Sequence, residues 1–169
     1  KHRAGQFCFI SIEQSLLSEP HPFTLSYAPQ AQGDLRLSIK PLGDYTKTLT
    51  EQLKVGSTVN VSKAYGHFRP IAGTQNEVWL ASGVGITPFA AWLSDNAIVN
   101  RDVKVTLFYT VRGRAQAPLI VEIEAAVAKF DNIQLRLIDS SLRGRLTTAE
   151  VIAAIADMKK TRVYFCGPK

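Results

Sequence analysis

After Thr74 the chain alternates apolar runs of strand length with helical patterns, and this rhythm constrains its fold more than any other feature. Val78 to Ala81 reads as a strand and Pro88 to about Ile98 as a helix. Val103 to Val111, rich in β-branched and aromatic residues, reads as a second strand. Pro118 to Phe130 follows as a helix, with Pro118 near its start, and Ile133 to Ile138 as a third strand. Thr147-Thr148-Ala149-Glu150 has the form of a capping box opening a helix through about Met158, and Val163 to Cys166 makes a fourth strand. Strands separated by helices pair side by side only through crossovers, so this half is expected to consist of βαβ units around a parallel sheet.

The first half has a different rhythm. Phe7 to Ile12 alternates around Cys8 and Ser11, Phe23 to Tyr27 follows Pro20-His21-Pro22, and Leu35 to Ile39 alternates with Arg36 and Ser38. Val59 to Val61 follows Gly56-Ser57. Short strands with Gly and Pro between them suggest a small antiparallel sheet or barrel, interrupted by one helix from about Thr46 to Leu53. The boundary falls in the irregular segment from Ile71 to Gln75. Two domains are therefore expected, 1–72 all-β and 73–169 α/β.

Composition excludes little but guides the search for ligands. The chain has 169 residues, a net charge of +6 and a pI near 9.5, with no run of five or more like charges. The surplus reads as serving anionic small molecules or an acidic partner. No basic stripe interleaved with aromatics argues for nucleic acid, and none is expected as a partner. Cys8 and Cys166 lie far apart, match no metal-site spacing and fit a reducing compartment, so no metal and no disulfide scaffold are expected. The most apolar stretch, Val78 to Leu93, is too short and too interrupted to span a membrane comfortably. The chain opens on Lys1-His2-Arg3 without an initiator Met and ends just after a strand. Both ends read as cut, as in a portion of a longer protein.

Chemistry concentrates in a few turns. Val78-Trp79-Leu80-Ala81-Ser82-Gly83-Val84-Gly85-Ile86-Thr87-Pro88 is a buried strand feeding a glycine turn at a helix start. Such a turn gathers backbone N–H groups and the positive end of a helix dipole, which suits a phosphate. Gly83 and Gly85 let the backbone turn sharply where a Cβ would clash, and Pro88 fits the first helical turn. Taken alone, an ordinary strand-turn-helix junction reads the same way. Beyond the expected carboxyl ends of the other strands lie Thr110 to Arg114 and Cys166-Gly167-Pro168. Arg112 and Arg114 are placed to pair with a phosphate or ribose, or simply to solvate a turn. In Pro20-His21-Pro22-Phe23-Thr24, an extended backbone sets His21 and Phe23 on one face and Thr24 on the other. Gly43-Asp44-Tyr45-Thr46 opens a helix and makes a second anion site, and Tyr65-Gly66-His67-Phe68 is a third glycine turn.

In this order, His-Pro-Phe-Thr, Gly-Asp-Tyr-Thr, Tyr-Gly-His-Phe, Gly-Val-Gly-Ile-Thr-Pro and Cys-Gly-Pro resemble the ferredoxin–NADP reductase superfamily, nearest its ferric reductase and NADPH oxidase branch. The resemblance covers essentially the whole chain. It implies a partial FAD-binding β-barrel in 1–72 and an NAD(P)-binding αβα domain in 73–169, the first barrel strands and the last helix and strand being absent. His21 takes the place of the family's pyrophosphate-contacting arginine. Pro22 belongs to the same flavin motif, Phe23 would stack on the isoalloxazine, and Thr24 would offer a hydrogen bond near N5. Lys40, Gly43 and Thr46 would cradle the FAD pyrophosphate. Gly83, Gly85, Thr87 and Pro88 would hold that of the nicotinamide dinucleotide. Cys166, Gly167 and Pro168 would sit beside the nicotinamide, and Arg112 would meet a 2′-phosphate.

The resemblance further implies hydride transfer from NADP(H), with NAD(H) as the alternative, to FAD, and then release of single electrons. No acid or base is needed for the hydride step, so Thr24 and Cys166, the residues nearest the reacting atoms, are expected to position rather than exchange protons. The expected acceptor is a haem in the transmembrane part of a membrane-anchored parent, with this portion on the cytoplasmic side and not itself inserted. A soluble cytoplasmic reductase feeding an iron–sulfur protein or flavodoxin is the alternative. A module that binds nucleotide without transferring electrons is a third reading.

Overall fold

The structure is a computed structural model that describes residues 1–12 and 17–168; Lys169, the last residue of the second expected domain, lies outside them. The first half forms an antiparallel sheet of β1 (Phe7–Ser11), β2 (His21–Thr24) and β3 (Asn60–Val61), in the order β2-β1-β3. Isolated bridges from Phe7 to Tyr65 and from Leu25 to Leu37 extend it. Cys8, Ile10 and Leu25 are its buried core, with Phe23, Leu37, Val59 and Ala64 packed against them. A nine-residue helix, α1 (Asp44–Gln52), covers part of this unit and buries Leu49 completely.

The second half forms a parallel sheet of β4 (Asn76–Ser82), β5 (Lys104–Val111), β6 (Ile133–Asp139) and β7 (Thr161–Cys166), in the order β6-β5-β4-β7. A 3₁₀ turn over Gly83–Ile86 runs directly into α2 (Thr87–Leu93), followed by α3 (Asn96–Val99). After β5 come α4 (Ile120–Val127), then α5 (Ser140–Arg143) and α6 (Thr148–Ala153). One sheet face packs Trp79, Leu107 and Tyr109 against Phe89, Trp92 and Ile123, while the other packs Val78, Phe108 and Ile138 against Val151 and Ile155. Burial on both faces is why Val78 to Ala81 reads as a continuous apolar run. The expected class, an antiparallel β unit followed by a parallel αβα layer, is the one observed.

Several elements depart from their expected spans. The strand expected over Leu35 to Ile39 reduces to one bridge, Leu25 with Leu37, beside which the Arg36 carbonyl accepts from both the N–H and the hydroxyl of Ser26. The β2 strand begins at His21 and ends at Thr24, earlier than the Phe23 to Tyr27 pattern indicates. The helix expected from Pro88 to Ile98 breaks after Leu93. There Ser94 Oγ accepts from Ala28 N–H, and Asp95 turns extended to cap α3 through Ala97 N–H. The helix expected from Pro118 begins only at Ile120: the Pro118 carbonyl is taken by the Tyr109 hydroxyl at 2.8 Å, and Leu119 sits at φ 58°. The last helix stops at Ala153 rather than Met158, since the Asp157 carbonyl anchors the turn into β7 through Lys160 N–H and Thr161 Oγ1.

The capping box read from the sequence is present. Thr147 Oγ1 accepts from Glu150 N–H at 3.3 Å, and the Glu150 carboxylate accepts from Thr147 N–H at 2.8 Å and from Arg143 at 2.5 Å. These bonds, the Thr147 backbone foremost, hold the Glu150 pKa down from 4.5 to about 2. A lowered folded-state pKa contributes stability that is complete above the unfolded value and is lost as the pH falls. The helical carbon shifts of α6 are therefore expected to decay between about pH 4.5 and pH 2. The Glu150 carboxyl should titrate with the same midpoint, and Glu150→Gln should abolish the transition in an NMR titration.

An aromatic seam joins the two halves. Phe68 stacks on Trp92 at 4.8 Å and meets Tyr164 edge-on, and Trp92 Nε1 donates to the Phe68 carbonyl at 3.2 Å. Ile71 N–H donates to the Tyr164 hydroxyl. On the rim, Arg36 pairs through both guanidinium nitrogens with Glu122 at 2.6 and 2.7 Å.

Candidate nucleotide-binding site

Parallel strands present their ligands at their carboxyl ends, and there the β4 and β7 ends are locked together. A Cβ on Gly85 would lie 2.2 Å from the Cys166 carbonyl oxygen and 2.9 Å from Gly167 N. A Cβ on Gly167 would lie 2.7 Å from that of Ser82. The two glycine elements that the sequence separates are thus one structure, pressed together because neither carries a side chain. Gly83 takes φ +54°, and open space lies where its Cβ would be. Thr87 is buried and its hydroxyl donates to the Val84 carbonyl at 3.0 Å, which fixes the turn from inside. Pro88 sits in the first turn of α2, also buried. Burial raises the Cys166 thiol above its ordinary pKa, so it remains a neutral thiol at neutral pH.

His21, Pro22, Phe23 and Thr24 make up the whole of β2, in register with Ile10, Phe9, Cys8 and Phe7 of β1. Directly opposed residues share a face, so His21 and Phe23 lie on one side of the sheet and Pro22 and Thr24 on the other. The His21 ring stacks on Tyr45 at 3.6 Å, and Glu19 lies 3.8 Å from its Nε2. Tyr45 belongs to the first turn of α1, so this contact brings the β2 motif to the Gly43–Thr46 motif.

At the start of α1, Thr46 Oγ1 accepts from Leu42 and Gly43 N–H at 2.9 and 3.1 Å and donates to the Gly43 carbonyl at 3.0 Å. Thr46 therefore shapes the turn; the Lys47 N–H already donates to the Gly43 carbonyl at 3.0 Å, so the N–H groups without intrahelical acceptors are those ahead of it at the helix start. Gly43 has open space on its Cβ side and Lys40 is exposed nearby in sequence. Asp44 in the first turn suits the helix dipole but competes with a bound anion.

The two arginines past β5 separate clearly. Arg114 is held by both oxygens of Glu124 at 2.7 and 2.6 Å, and its N–H donates to Asp139 at 3.0 Å. The guanidinium lowers the Glu124 pKa, chiefly through these bonds. Arg112 is exposed and, among the described residues, makes no ion pair, so its guanidinium is available to a phosphate. Asp139, at the β6 end, went unremarked in the sequence; its carboxylate is occupied by the Ser141 N–H and hydroxyl and by Arg114 N–H.

Residues 1–83 match the FAD-binding domain family. The carnitine monooxygenase reductase subunit of Escherichia coli is 31% identical over 155 residues, which cover 92% of this chain and 44% of that protein. Ferric reduction oxidase 7, chloroplastic, of Arabidopsis thaliana is 31% identical over 123 residues, covering 62% of this chain and 16% of that protein. A ferredoxin NADP+ reductase from Neisseria gonorrhoeae, solved with bound FAD and NADP, superposes with a TM-score of 0.79 at 17% identity over 98% of this chain and 73% of that one. The chain belongs to the ferredoxin–NADP reductase superfamily. Its ferric reductase side is represented by the plant oxidase. This superfamily chain spans less than half the length of both curated relatives. Its β2 strand, α1 start and paired glycine turns are the parts that carry the family motifs.

Proposed function

We propose that this chain is the flavin- and pyridine-nucleotide-binding reductase portion of a longer oxidoreductase, with 1–72 serving FAD and 73–169 serving NADP(H). The observation that carries the reading is the close approach of Gly85 to Cys166 and Gly167. It packs the Gly83–Pro88 turn backbone-to-backbone on the start of Cys166-Gly167-Pro168, at the carboxyl ends of β4 and β7. We assign a diphosphate to the Gly83 side of this junction, where a Cβ would enter open space, and the nicotinamide ring to the side of Cys166. The FAD family match over 1–83 and the flavin motif on β2 support the other half.

When bound, FAD supplies the step from a two-electron hydride donor to one-electron acceptors. The chain's own residues bind and orient. Phe23 offers a ring face, Thr24 a hydroxyl on the opposite side of β2, and Lys40, Gly43 and Thr46 a cationic, N–H-rich turn. Cys166, a neutral thiol, excludes water beside the nicotinamide position without moving a proton. The acceptor proposed is a membrane-held haem in a ferric-reductase-like parent, with this portion on the cytoplasmic face. The His-Pro-Phe-Thr motif and the plant ferric reduction oxidase favour it.

Mixing the protein with FAD, removing oxygen and adding NADPH or NADH tests the activity directly. Flavin absorbance should bleach faster than that of free FAD. A flavin that binds and stays oxidised would replace this reading with a nucleotide-binding module. Arg112→Ala should lower the NADPH to NADH ratio of kcat/KM by about 10- to 100-fold, the loss of one charge-assisted phosphate contact. Arg114→Ala should leave that ratio within about twofold, since Glu124 already holds its guanidinium. The reverse ranking would move the 2′-phosphate contact from Arg112 to Arg114.

A further inference from the structure

Tyr45 is the contact between the two parts of the proposed flavin cradle, and nothing in the chemistry above gives it a task. Its ring lies 3.6 Å from that of His21 with 23° between planes, and 6.4 Å from that of Phe23 with 30° between planes. Its hydroxyl donates to the Ile10 carbonyl of β1 at 3.0 Å. Ile10 and His21 are directly opposed across the β1–β2 ladder, so ring and hydroxyl contact both members of one cross-strand pair, and the hydroxyl also lies 3.4 Å from the Leu17 carbonyl. Burial first, and Glu19 second, raise the Tyr45 pKa, so the phenol stays protonated and keeps donating. A side chain from the first turn of α1 thus spans to the strand that carries the flavin motif. His21 has no other ring contact among the described residues, and its remaining charged neighbour, Glu19, is 3.8 Å away and largely exposed.

We infer that Tyr45 is a positioning residue for the dinucleotide half of the flavin: it sets the separation between the α1 N–H turn and the β2 strand and fixes the His21 ring between them. The inference rests on the flavin reading of this site. Its physical basis is that, among the described residues, β2 and the start of α1 share no backbone hydrogen bonds, so a side chain must couple them. The ladder holds the backbones of His21, Phe23 and Thr24 alike, but Tyr45 meets the His21 ring at 3.6 Å and that of Phe23 only at 6.4 Å, so it bears chiefly on His21. Losing Tyr45 should therefore weaken contacts to the diphosphate and leave those to the ring system.

The test is a set of fluorescence titrations of FAD and riboflavin on the unaltered chain and on Tyr45→Ala, Tyr45→Phe and Tyr45→Trp. Losing the aromatic stack in Tyr45→Ala should raise the FAD Kd about 2- to 12-fold. Riboflavin, which lacks the diphosphate, should keep its Kd within about twofold. Tyr45→Trp should restore most of the FAD affinity, and Tyr45→Phe, which keeps the stack but not the tether to Ile10, should fall between. A merely structural role would weaken FAD and riboflavin in parallel, and that result overturns the inference. So does FAD affinity unchanged in Tyr45→Ala. If the unaltered chain binds neither flavin, the flavin reading itself fails, a result distinguishable from both.

Discussion

Gly85→Ala is expected to abolish most NADPH-driven flavin reduction while leaving FAD binding intact. The added methyl would sit 2.2 Å from the Cys166 carbonyl oxygen and 2.6 Å from its carbon. Both are backbone atoms at the end of a strand bonded to β4, so no side chain can swing aside. Either the last pair of the β4–β7 ladder, Ala81 with Cys166, parts or the glycine turn backs away. Overpacking of this kind costs about 1–3 kcal/mol, or a fall in Tm of very roughly 2–12 °C for a chain of this size. The functional loss should be larger, because a displacement of about 1 Å at a reacting centre can cost about a hundredfold in rate. FAD affinity should change by less than about twofold, since the β2 and α1 contacts belong to the other sheet. Gly73→Ala, ahead of the amino end of β4 and away from the site, is the control. Its Cβ enters open space and the cost is that of the left-handed backbone, about 1–2 kcal/mol. Equal rates for the two variants would show that the contact with Cys166 does not organise the site.

That contact also marks where the sequence stops being informative. Both glycine elements were visible as motifs, because a strand, a turn and a helix start leave a local pattern. Their mutual approach was not, since it depends on β7 pairing beside β4 rather than on any neighbouring residue. The α/β half was legible for the same local reason: its strands are buried on both faces and read as apolar runs. The β half was less so. Leu37 and Ile39 keep the alternation of a strand, but only the Leu25–Leu37 bridge forms, so alternation here marks a face without marking a ladder. Ser94 and Asp95 broke a helix that periodicity alone would continue, because their side chains cap in both directions. In the site, position past β5 leaves Arg112 and Arg114 alike and only the resemblance favours Arg112; the Glu124 carboxylate that occupies Arg114 comes from α4, which the local pattern does not bring there. Tyr45 stood inside a motif without a role because its partner, His21, lies on another element. What escaped was always a tertiary partner.

The other large effect lies at the opposite end of the sheet. Glu77 is a carboxylate with a fully buried side chain, and its solvation is replaced by four donors. Arg101 donates through both guanidinium nitrogens at 2.7 and 2.9 Å, Trp79 Nε1 at 2.8 Å and Thr74 Oγ1 at 3.4 Å. Arg101 is itself pinned by its Nε to the Ile98 carbonyl. The pair joins the first residues of β4 to the segment between α3 and β5, where the parallel sheet starts. A buried pair contributes little compared with an apolar replacement, yet removing one partner leaves an uncompensated charge and costs about 3–5 kcal/mol. Arg101→Met is therefore expected to lower Tm by about 6–20 °C, more than any surface substitution. Arg101→Met/Glu77→Gln should be more stable than Arg101→Met alone. The glutamine keeps an acceptor for Trp79 Nε1 without a charge to neutralise. The sign of that difference separates a charge effect from a packing effect: if the double variant is less stable, the Arg101 side chain serves by filling space and not by pairing Glu77. FAD affinity at saturating folded protein should be unchanged in both, because the pair sits at the amino ends of the strands and the ligands at their carboxyl ends. A variant that lost stability and flavin affinity together would instead show the sheet transmitting strain along its length.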